Sequence, residues 1–218
     1  MHVLVSGPTG TGKTVLARHV ARIRQYTVIL GTKPRDDSLD AYEEEGYLRI
    51  DHWPPSRDDL REFRGLGEVR LLVWPKIRRR EDLRAFRPLF VKVIEQIFAE
   101  GGWCLVVDEG IWATSRDGLD LGVELSDLAY GARSSQVSMI LLSQRLPPRV
   151  PIIWTSVSQA LLFHQGRTDD IRELASLGVY DPRDAAEAMQ SLEGHQFLDL
   201  PVRAQAEWSI SEVDRQLV

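Results

Sequence analysis

The sequence predicts an α/β fold in which a mostly parallel sheet is covered by helices on both faces. Short apolar runs recur along the chain, and helix-like segments lie between several of them. Runs that are apolar throughout are typical of strands buried on both faces of a parallel sheet. The predicted strands are HVLVS (2–6), YTVILG (26–31), YLRID (47–51), VRLLVWP (69–75), WCLVVD (103–108), VSMILLS (137–143) and QALLFHQ (159–165), and GHQFLDL (194–200) predicts a late edge strand.

The connecting segments complete this pattern and indicate one domain. A length of 218 residues suits a single α/β domain with a full core, so 1–218 is expected to be one unit in which 200–218 forms a C-terminal extension. The Pro-rich stretches DHWPPSRDD and RLPPRVP are loops too short to separate domains. The predicted helices are 14–24, 81–100, 120–133, 168–177 and 183–192.

Composition excludes several classes of protein. With Cys104 as the single cysteine, no intramolecular disulfide can form, and its apolar neighbours indicate a buried thiol. The sequence shows no signal peptide and no apolar run near the ~18 residues of a membrane span, so a cytoplasmic protein without a membrane segment is expected. A net charge of −5 means that any contact with nucleic acid must be local.

The first chemical motif directly follows the first predicted strand. Its residues are Gly7, Pro8, Thr9, Gly10, Thr11, Gly12, Lys13 and Thr14, which fit the phosphate-binding pattern G-x-x-x-x-G-K-[ST]. The glycines let successive backbone N–H groups point inward at phosphates, and the helix that starts here favours negative charge. In such a loop Lys13 reaches the β- and γ-phosphates and the Thr14 hydroxyl binds Mg²⁺. The alternative, a glycine-rich turn that matches by chance, is disfavoured by the strand before it and the helix after it.

The second motif is the acidic end of the apolar run WCLVVDEG. Asp108 is placed to hold the magnesium shell, and Glu109 can act as the general base that activates water. An acid that activates water favours hydrolysis over transfer of the phosphoryl group to an acceptor, because enzymes that transfer phosphoryl groups exclude water from the site. The chain contains no asparagine, so a guanine-specific Asn-Lys-x-Asp motif is impossible and ATP is favoured over GTP. The alternative is an acidic turn after a core strand.

A third candidate is the polar tip of the predicted strand VSMILLS. Gln144 follows this strand, at the kind of position where ligands bind in open α/β sheets. Its amide is therefore a candidate to contact the γ-phosphate or the attacking water, and the alternative is a surface turn residue.

These three elements, in this order, resemble the HerA–FtsK superfamily of DNA-pumping ATPases from residue 2 to about residue 178. The segment GARSSQVSMILLSQRLP is similar to the family's helix end and following strand, and QALLFHQGRTDDIREL to its next strand and helix. VILGTKPRDD lies where the family often has Asp-Pro-Lys, and here the aspartate is absent. The resemblance implies a three-layer P-loop NTPase of the ASCE, RecA-like type. Within the superfamily, the chain resembles the small genome-packaging ATPases of membrane-containing, tailless icosahedral viruses.

The resemblance also implies partners and a further catalytic residue. It implies a hexamer or pentamer ring around double-stranded DNA, with capsid vertex proteins as partners and the host cytoplasm or virion vertex as location. An arginine finger from a neighbouring subunit would complete the site, and the family pattern favours Arg133 over Arg145 and Arg167. The catalytic set is then Lys13, Glu109, Gln144 and Arg133, with ATP and Mg²⁺ as cofactors.

Other readings of the sequence remain open. The basic stretch KIRRREDLRAFRPLFVK (76–92) could follow DNA phosphates, or it could form a solvated helix face or a contact between subunits. The chain also resembles Zot-like assembly ATPases of filamentous phages, which extrude rather than package DNA. A small-molecule P-loop kinase and a nucleotide-gated scaffold without turnover are the alternatives of other classes.

Overall fold

The computed structural model describes residues 2–33, 37–146, 156–166, 169–202 and 207–214. Within these residues the strands are β1 (His2–Ser6), β2 (Tyr26–Leu30), β3 (Leu48–Ile50), β4 (Val69–Val73), β5 (Cys104–Val107), β6 (Ser138–Ser143), β7 (Gln159–Phe163), β8 (Gln196–Pro201) and β9 (Ser209–Glu212). The helices are α1 (Lys13–Arg22), α2 (Asp37–Glu44), α3 (Arg87–Glu100), α4 (Gly110–Thr114), α5 (Gly122–Ser135), α6 (Asp170–Leu177) and α7 (Pro182–Ser191). Two 3₁₀ helices cover Asp59–Phe63 and Arg80–Phe86.

The chain divides into two compact units, each with its own set of strands. Unit 1 comprises 1–19 and 140–218, and unit 2 comprises 20–139. In unit 2 the strands lie in the order β3-β4-β2-β5, and every adjacent pair is parallel. Parallel pairing brings the carboxyl ends of these strands to one edge, where ligands bind in open α/β sheets.

In unit 1 the strands lie in the order β6-β1-β7-β8-β9. β1 and β7 are parallel, whereas β7 with β8 and β8 with β9 are antiparallel. The predicted α/β class, with a mostly parallel sheet and a late edge strand, is therefore confirmed. The edge strand is β9, however, and not the segment predicted for the edge, 194–200. That segment contains most of β8, which lies between β7 and β9.

The burial of the strands explains why they could be predicted from the sequence. All residues of β1, β5 and β6 are buried, as expected for apolar runs covered on both faces. Cys104 is 1% exposed and packs as a small apolar side chain, as predicted, and burial raises the pKa of its thiol.

The segment predicted as one helix over 81–100 has two parts. Its first turns form the 3₁₀ helix Arg80–Phe86, and α3 begins only at Arg87. Pro88 explains this boundary: proline fits the first turn of a helix, where its missing N–H is not needed, and would break a helix interior.

Candidate functional site

The P-loop (residues 7–14) connects β1 to α1 with a conformation that depends on its glycines. Gly10 and Gly12 have φ of 83° and 96°, in the left-handed region that glycine adopts without strain. Gly7 is needed for another reason: a Cβ there would lie 2.6 Å from the Cβ of Phe163. Both fixed glycines of the motif, Gly7 and Gly12, and the additional Gly10 thus have a physical cause, and the backbone curls directly before the N-terminus of α1. Such a turn is suited to binding phosphate through backbone N–H groups.

Two side chains of the P-loop bind one of its own carbonyl groups. Lys13 Nζ donates a hydrogen bond to the Pro8 carbonyl at 2.6 Å, and Thr11 Oγ1 donates to the same oxygen at 2.9 Å. Pro8, Thr9 and Gly10 are exposed. A phosphate that recruits the ammonium of Lys13 must therefore compete with a short hydrogen bond inside the loop.

The C-terminal strands contact the P-loop at a place that sequence analysis missed. His195 precedes β8, and its Nδ1 lies 3.1 Å from the Thr11 carbonyl, which accepts the hydrogen bond. A Cβ at Gly12 would lie 3.5 Å from this Nδ1 and 3.8 Å from Val213 Cγ2. The N–H of Val213 donates to the His195 carbonyl at 3.1 Å. The P-loop backbone is thus held from outside by residues near the end of the chain.

The predicted γ-phosphate contact, Gln144, lies in the β6 exit segment (residues 143–146). The N–H of Gly7 donates to the Ser143 carbonyl at 3.1 Å, so the first residue of this segment is hydrogen-bonded to the first residue of the P-loop. Ser143 is buried, whereas Gln144 and Arg145 are exposed. Gln144 therefore directly follows a residue whose carbonyl group is hydrogen-bonded to the P-loop.

In unit 2 the acid pair, Asp108 and Glu109, follows β5 and contacts a lysine that sequence analysis did not assign. Lys33 Nζ lies 3.3 Å from Asp108 Oδ2 and 3.8 Å from Glu109 Oε1. Asp108 is 5% exposed, so its charge lies in a partly dry site and the ammonium offsets it. The only signal for Lys33 in the sequence was its place after β2, in the segment GTKP.

Two hydrogen bonds hold the backbone of the acid pair and of Lys33; their donors are Thr32, which follows β2, and Trp74, which follows β4. Thr32 Oγ1 donates to the Asp108 carbonyl at 2.7 Å, and Trp74 Nε1 donates to the Lys33 carbonyl at 2.6 Å. Glu109 has φ 60° and ψ 55°, in the left-handed region that is costly for a residue other than glycine. Such strained positions persist where the surroundings determine them, and they cluster at functional sites.

The residues predicted to hold Mg²⁺ fit that ion in their donor chemistry. Thr14 offers a hydroxyl in the first turn of α1, and Asp108 offers a buried carboxylate. Mg²⁺ takes hard oxygen ligands and uses one or two protein groups together with water and substrate phosphates. In the described part of the chain, no group of three or more His, Cys, Asp or Glu side chains is arranged to hold a metal ion by itself.

Two of the three arginines considered for the finger lie in the described part of the chain, and both are exposed. Arg133 lies in the last turn of α5 and is exposed, as is Arg145. Arg167 lies outside the described residues. The role of Arg133 across a subunit boundary therefore stays a prediction.

The basic stretch separates into two groups. Arg84 donates to the Asp117 carbonyl, and Arg87 donates to the Asp120 carbonyl at 2.9 Å and to Glu124 Oε1 at 2.6 Å. These two arginines thus hold the loop before α5. Arg84 is nevertheless exposed, and the other exposed cations among the described side chains of the stretch are Lys76, Arg78, Arg79 and Lys92.

A P-loop of this form after a buried parallel strand, with an acid pair after another strand, is the arrangement of P-loop NTPases, and the chain has their fold. The DNA-packaging ATPase B204 from Sulfolobus Turreted Icosahedral Virus is similar with a TM-score of 0.68 at 19% identity, over 97% of this chain and 96% of that chain. The genome packaging NTPase B204 from Sulfolobus turreted icosahedral virus 2, in complex with AMP, gives 0.63 at 17% identity over 96% of both chains.

A larger protein shares the fold over part of its length. The cytoplasmic domain of the Thermomonospora curvata Type VII secretion ATPase EccC matches with a TM-score of 0.57 at 16% identity, over 97% of this chain and 25% of that chain. No protein-family model and no curated protein sequence matches the chain. The resemblance to packaging ATPases inferred from the sequence is thus confirmed at the level of fold. In the described residues, no helix has the length and apolar character to span a membrane.

Proposed function

We propose that the chain is a single motor domain that hydrolyses ATP and translocates double-stranded DNA, packaging a viral genome into a preformed capsid. The observation that carries the proposal is the similarity to viral packaging NTPases over 96–97% of the chain. The P-loop conformation and the acid pair support a nucleotide as substrate. ATP is the expected nucleotide, because no guanine-specific motif can be formed.

Each candidate residue then has a chemical role. The P-loop N–H groups and Lys13 bind the phosphates, and Glu109 takes a proton from the attacking water. Thr14 and Asp108 would hold Mg²⁺, which neutralises charge on the phosphate oxygens. Gln144 responds to the γ-phosphate. Arg133 of a neighbouring subunit supplies positive charge to the transition state.

The main experiment measures phosphate release from ATP by the purified protein with and without linear duplex DNA. We expect DNA to raise turnover, and Glu109→Gln to abolish release in both conditions, which excludes a contaminating ATPase. Turnover that ignores DNA but needs a small acceptor would favour a kinase. ATP binding without turnover in either condition would favour a scaffold.

A second experiment tests the DNA surface. Exposed cations that contact phosphates release counterions, so affinity falls with salt. Replacing Arg78 and Arg79 with alanine should reduce the slope of log K against log salt by about 2. The matched control replaces the exposed Arg57 and Arg64, which removes the same charge elsewhere. Equal slopes for the two double variants would assign residues 76–92 to a solvated surface.

A third experiment tests whether Arg133 acts on the site of a neighbouring subunit in the proposed ring of five or six subunits. Glu109→Gln and Arg133→Ala subunits are mixed, each nearly inactive alone. If Arg133 acts in trans, some interfaces pair an intact Glu109 with an intact Arg133, and activity partly returns. Confirmed mixed rings without activity would reject the trans role of Arg133 and leave Arg145 and Arg167 as the next candidates.

A further inference from the structure

One buried glutamine joins the P-loop strand to the β6 exit segment. Gln165 lies two residues beyond β7 and is 5% exposed. Its Nε2 donates to Ser6 Oγ at 3.2 Å, and its Oε1 accepts from the N–H of Leu146 at 3.0 Å. The two partners are separated by 140 residues in sequence (146 minus 6) and meet through this side chain.

The orientation of the amide follows from its partners. The backbone N–H of Leu146 can only donate, so the amide oxygen must face it, and the NH₂ group then faces Ser6. The position therefore uses an acceptor and a donor at once, and glutamine supplies both without a charge. Leucine offers neither, and glutamate brings a carboxylate into a buried site.

Both partners are next to residues with proposed roles in the reaction. Ser6 is the last residue of β1, directly before Gly7 of the P-loop, and it is fully buried. Leu146 is 1% exposed and lies two residues after Gln144. The β6 exit segment is thus attached at both ends: Ser143 holds the N–H of Gly7, and Leu146 is held by Gln165. Gln144 lies between these two attachments.

We infer that Gln165 is a positioning residue that fixes Gln144 relative to the P-loop, so that the chain distinguishes ATP from ADP. The inference rests on the proposed ATPase function and assigns a residue that the motifs do not contain. Without the Gln165 amide, the N–H of Leu146 loses its buried acceptor and the segment is released at one end. The P-loop glycines and Lys13 remain, so ADP binding is preserved.

The test compares Gln165 with Gln159, the first residue of β7. Gln165→Leu removes the attachment, while Gln159→Leu removes another side-chain amide hydrogen bond, from Nε2 to Asp199 Oδ1 at 2.6 Å, at the opposite end of β7. The affinities for ADP and for a non-hydrolysable ATP analogue are measured with kcat and KM. For Gln165→Leu we expect an ATP-to-ADP affinity ratio close to one and a kcat lowered by about 10–100-fold. Gln159→Leu should retain both wild-type values.

A second variant keeps the test decisive if Gln165→Leu does not fold. Ser6→Ala removes the other partner with a small change in volume, and the affinity ratio should shift in the same direction. A folded Gln165→Leu with the wild-type ratio and kcat overturns the inference. So does a wild-type ratio in Ser6→Ala when Gln165→Leu is unfolded. Failure of the proposed function is seen separately, because the wild-type protein would then not hydrolyse ATP.

Discussion

The two units hold the ends of their strands by different kinds of interaction. In unit 1, neutral hydrogen bonds connect the P-loop, the β6 exit segment and Gln165. In unit 2, neutral hydrogen bonds from Thr32 and Trp74 hold the backbone, and a charged group is added, because Lys33 lies against both Asp108 and Glu109. The P-loop residues are therefore fixed largely by neutral hydrogen bonds, and the side chains of the acid pair are also fixed by charge balance.

This difference predicts how each unit responds to substitution. A loop built from backbone groups tolerates changes in its variable side chains but not in its glycines. An acid pair that shares one ammonium is sensitive to any change in charge, since adjacent carboxylates repel each other and a partly buried charge without a partner is costly.

The largest expected effect is on the acid pair. Glu109→Gln removes the proposed base that takes the proton from water, and hydrolysis should fall by about 10²–10⁴-fold. ATP affinity should be retained, because the P-loop is unchanged. Rate and affinity are measured by phosphate release and calorimetry, with the exposed Asp127→Asn in unit 2 as an acid-to-amide control. Loss of affinity in Glu109→Gln would contradict the division of roles.

The second prediction concerns the P-loop: Lys13→Ala should lower both the rate of hydrolysis and the affinity for ATP. Loss of the ammonium removes charge stabilisation at the phosphates, so the rate should fall by about 10²–10³-fold. ATP affinity should fall as well, in contrast to Glu109→Gln. Lys92→Ala, an exposed lysine, is the control in the absence of DNA. Wild-type affinity in Lys13→Ala would show that the backbone alone binds phosphate.

Lys33→Met tests the charge balance directly. The acid pair loses its cation, and the free energy of unfolding should fall by about 2 kcal/mol, between the values of exposed and buried ion pairs. Adding Glu109→Gln removes one of the two repelling charges, so the loss caused by Lys33→Met should be smaller in that background. Urea unfolding of the four proteins measures this coupling. Equal losses in both backgrounds would mean that Lys33 does not act on Glu109.

The smallest expected effect reports whether the units are stabilised together. Cys104 lies in unit 2 and is 1% exposed, and burial raises the pKa of its thiol, so it should react with iodoacetamide only after opening. ATP at ten times its Kd should slow this reaction by about tenfold if opening is global. Alkylation that ignores ATP would show that unit 2 opens independently of the P-loop.

Sequence analysis was most successful where structure is local. The glycine positions of the P-loop and the apolar run before Asp108 have a local physical cause, so the turn after β1 and most strands could be predicted. β9 could not, because all of its residues are exposed and its sequence SISE has no apolar pattern. It forms by pairing with β8.

The missed site residues share another cause. Lys33, Gln165 and His195 act on residues far away in sequence, and nothing in their own neighbourhoods indicates the partner. Gln165 reaches Ser6 across 159 residues, and His195 reaches Thr11 across 184. A polar residue after a strand is common, and only tertiary structure shows what it contacts.

The contact between His195 and Thr11 also sets an order of events during synthesis. At 5–20 residues per second, a ribosome releases His195 roughly 10–40 s after Thr11. β1 likewise waits for β7, its parallel partner. β1 and the P-loop therefore leave the ribosome before the residues that complete them, and they stay incomplete until β7 and His195 have followed. During this interval the nascent chain exposes apolar surface, which is the kind of surface that aggregates and that chaperones protect.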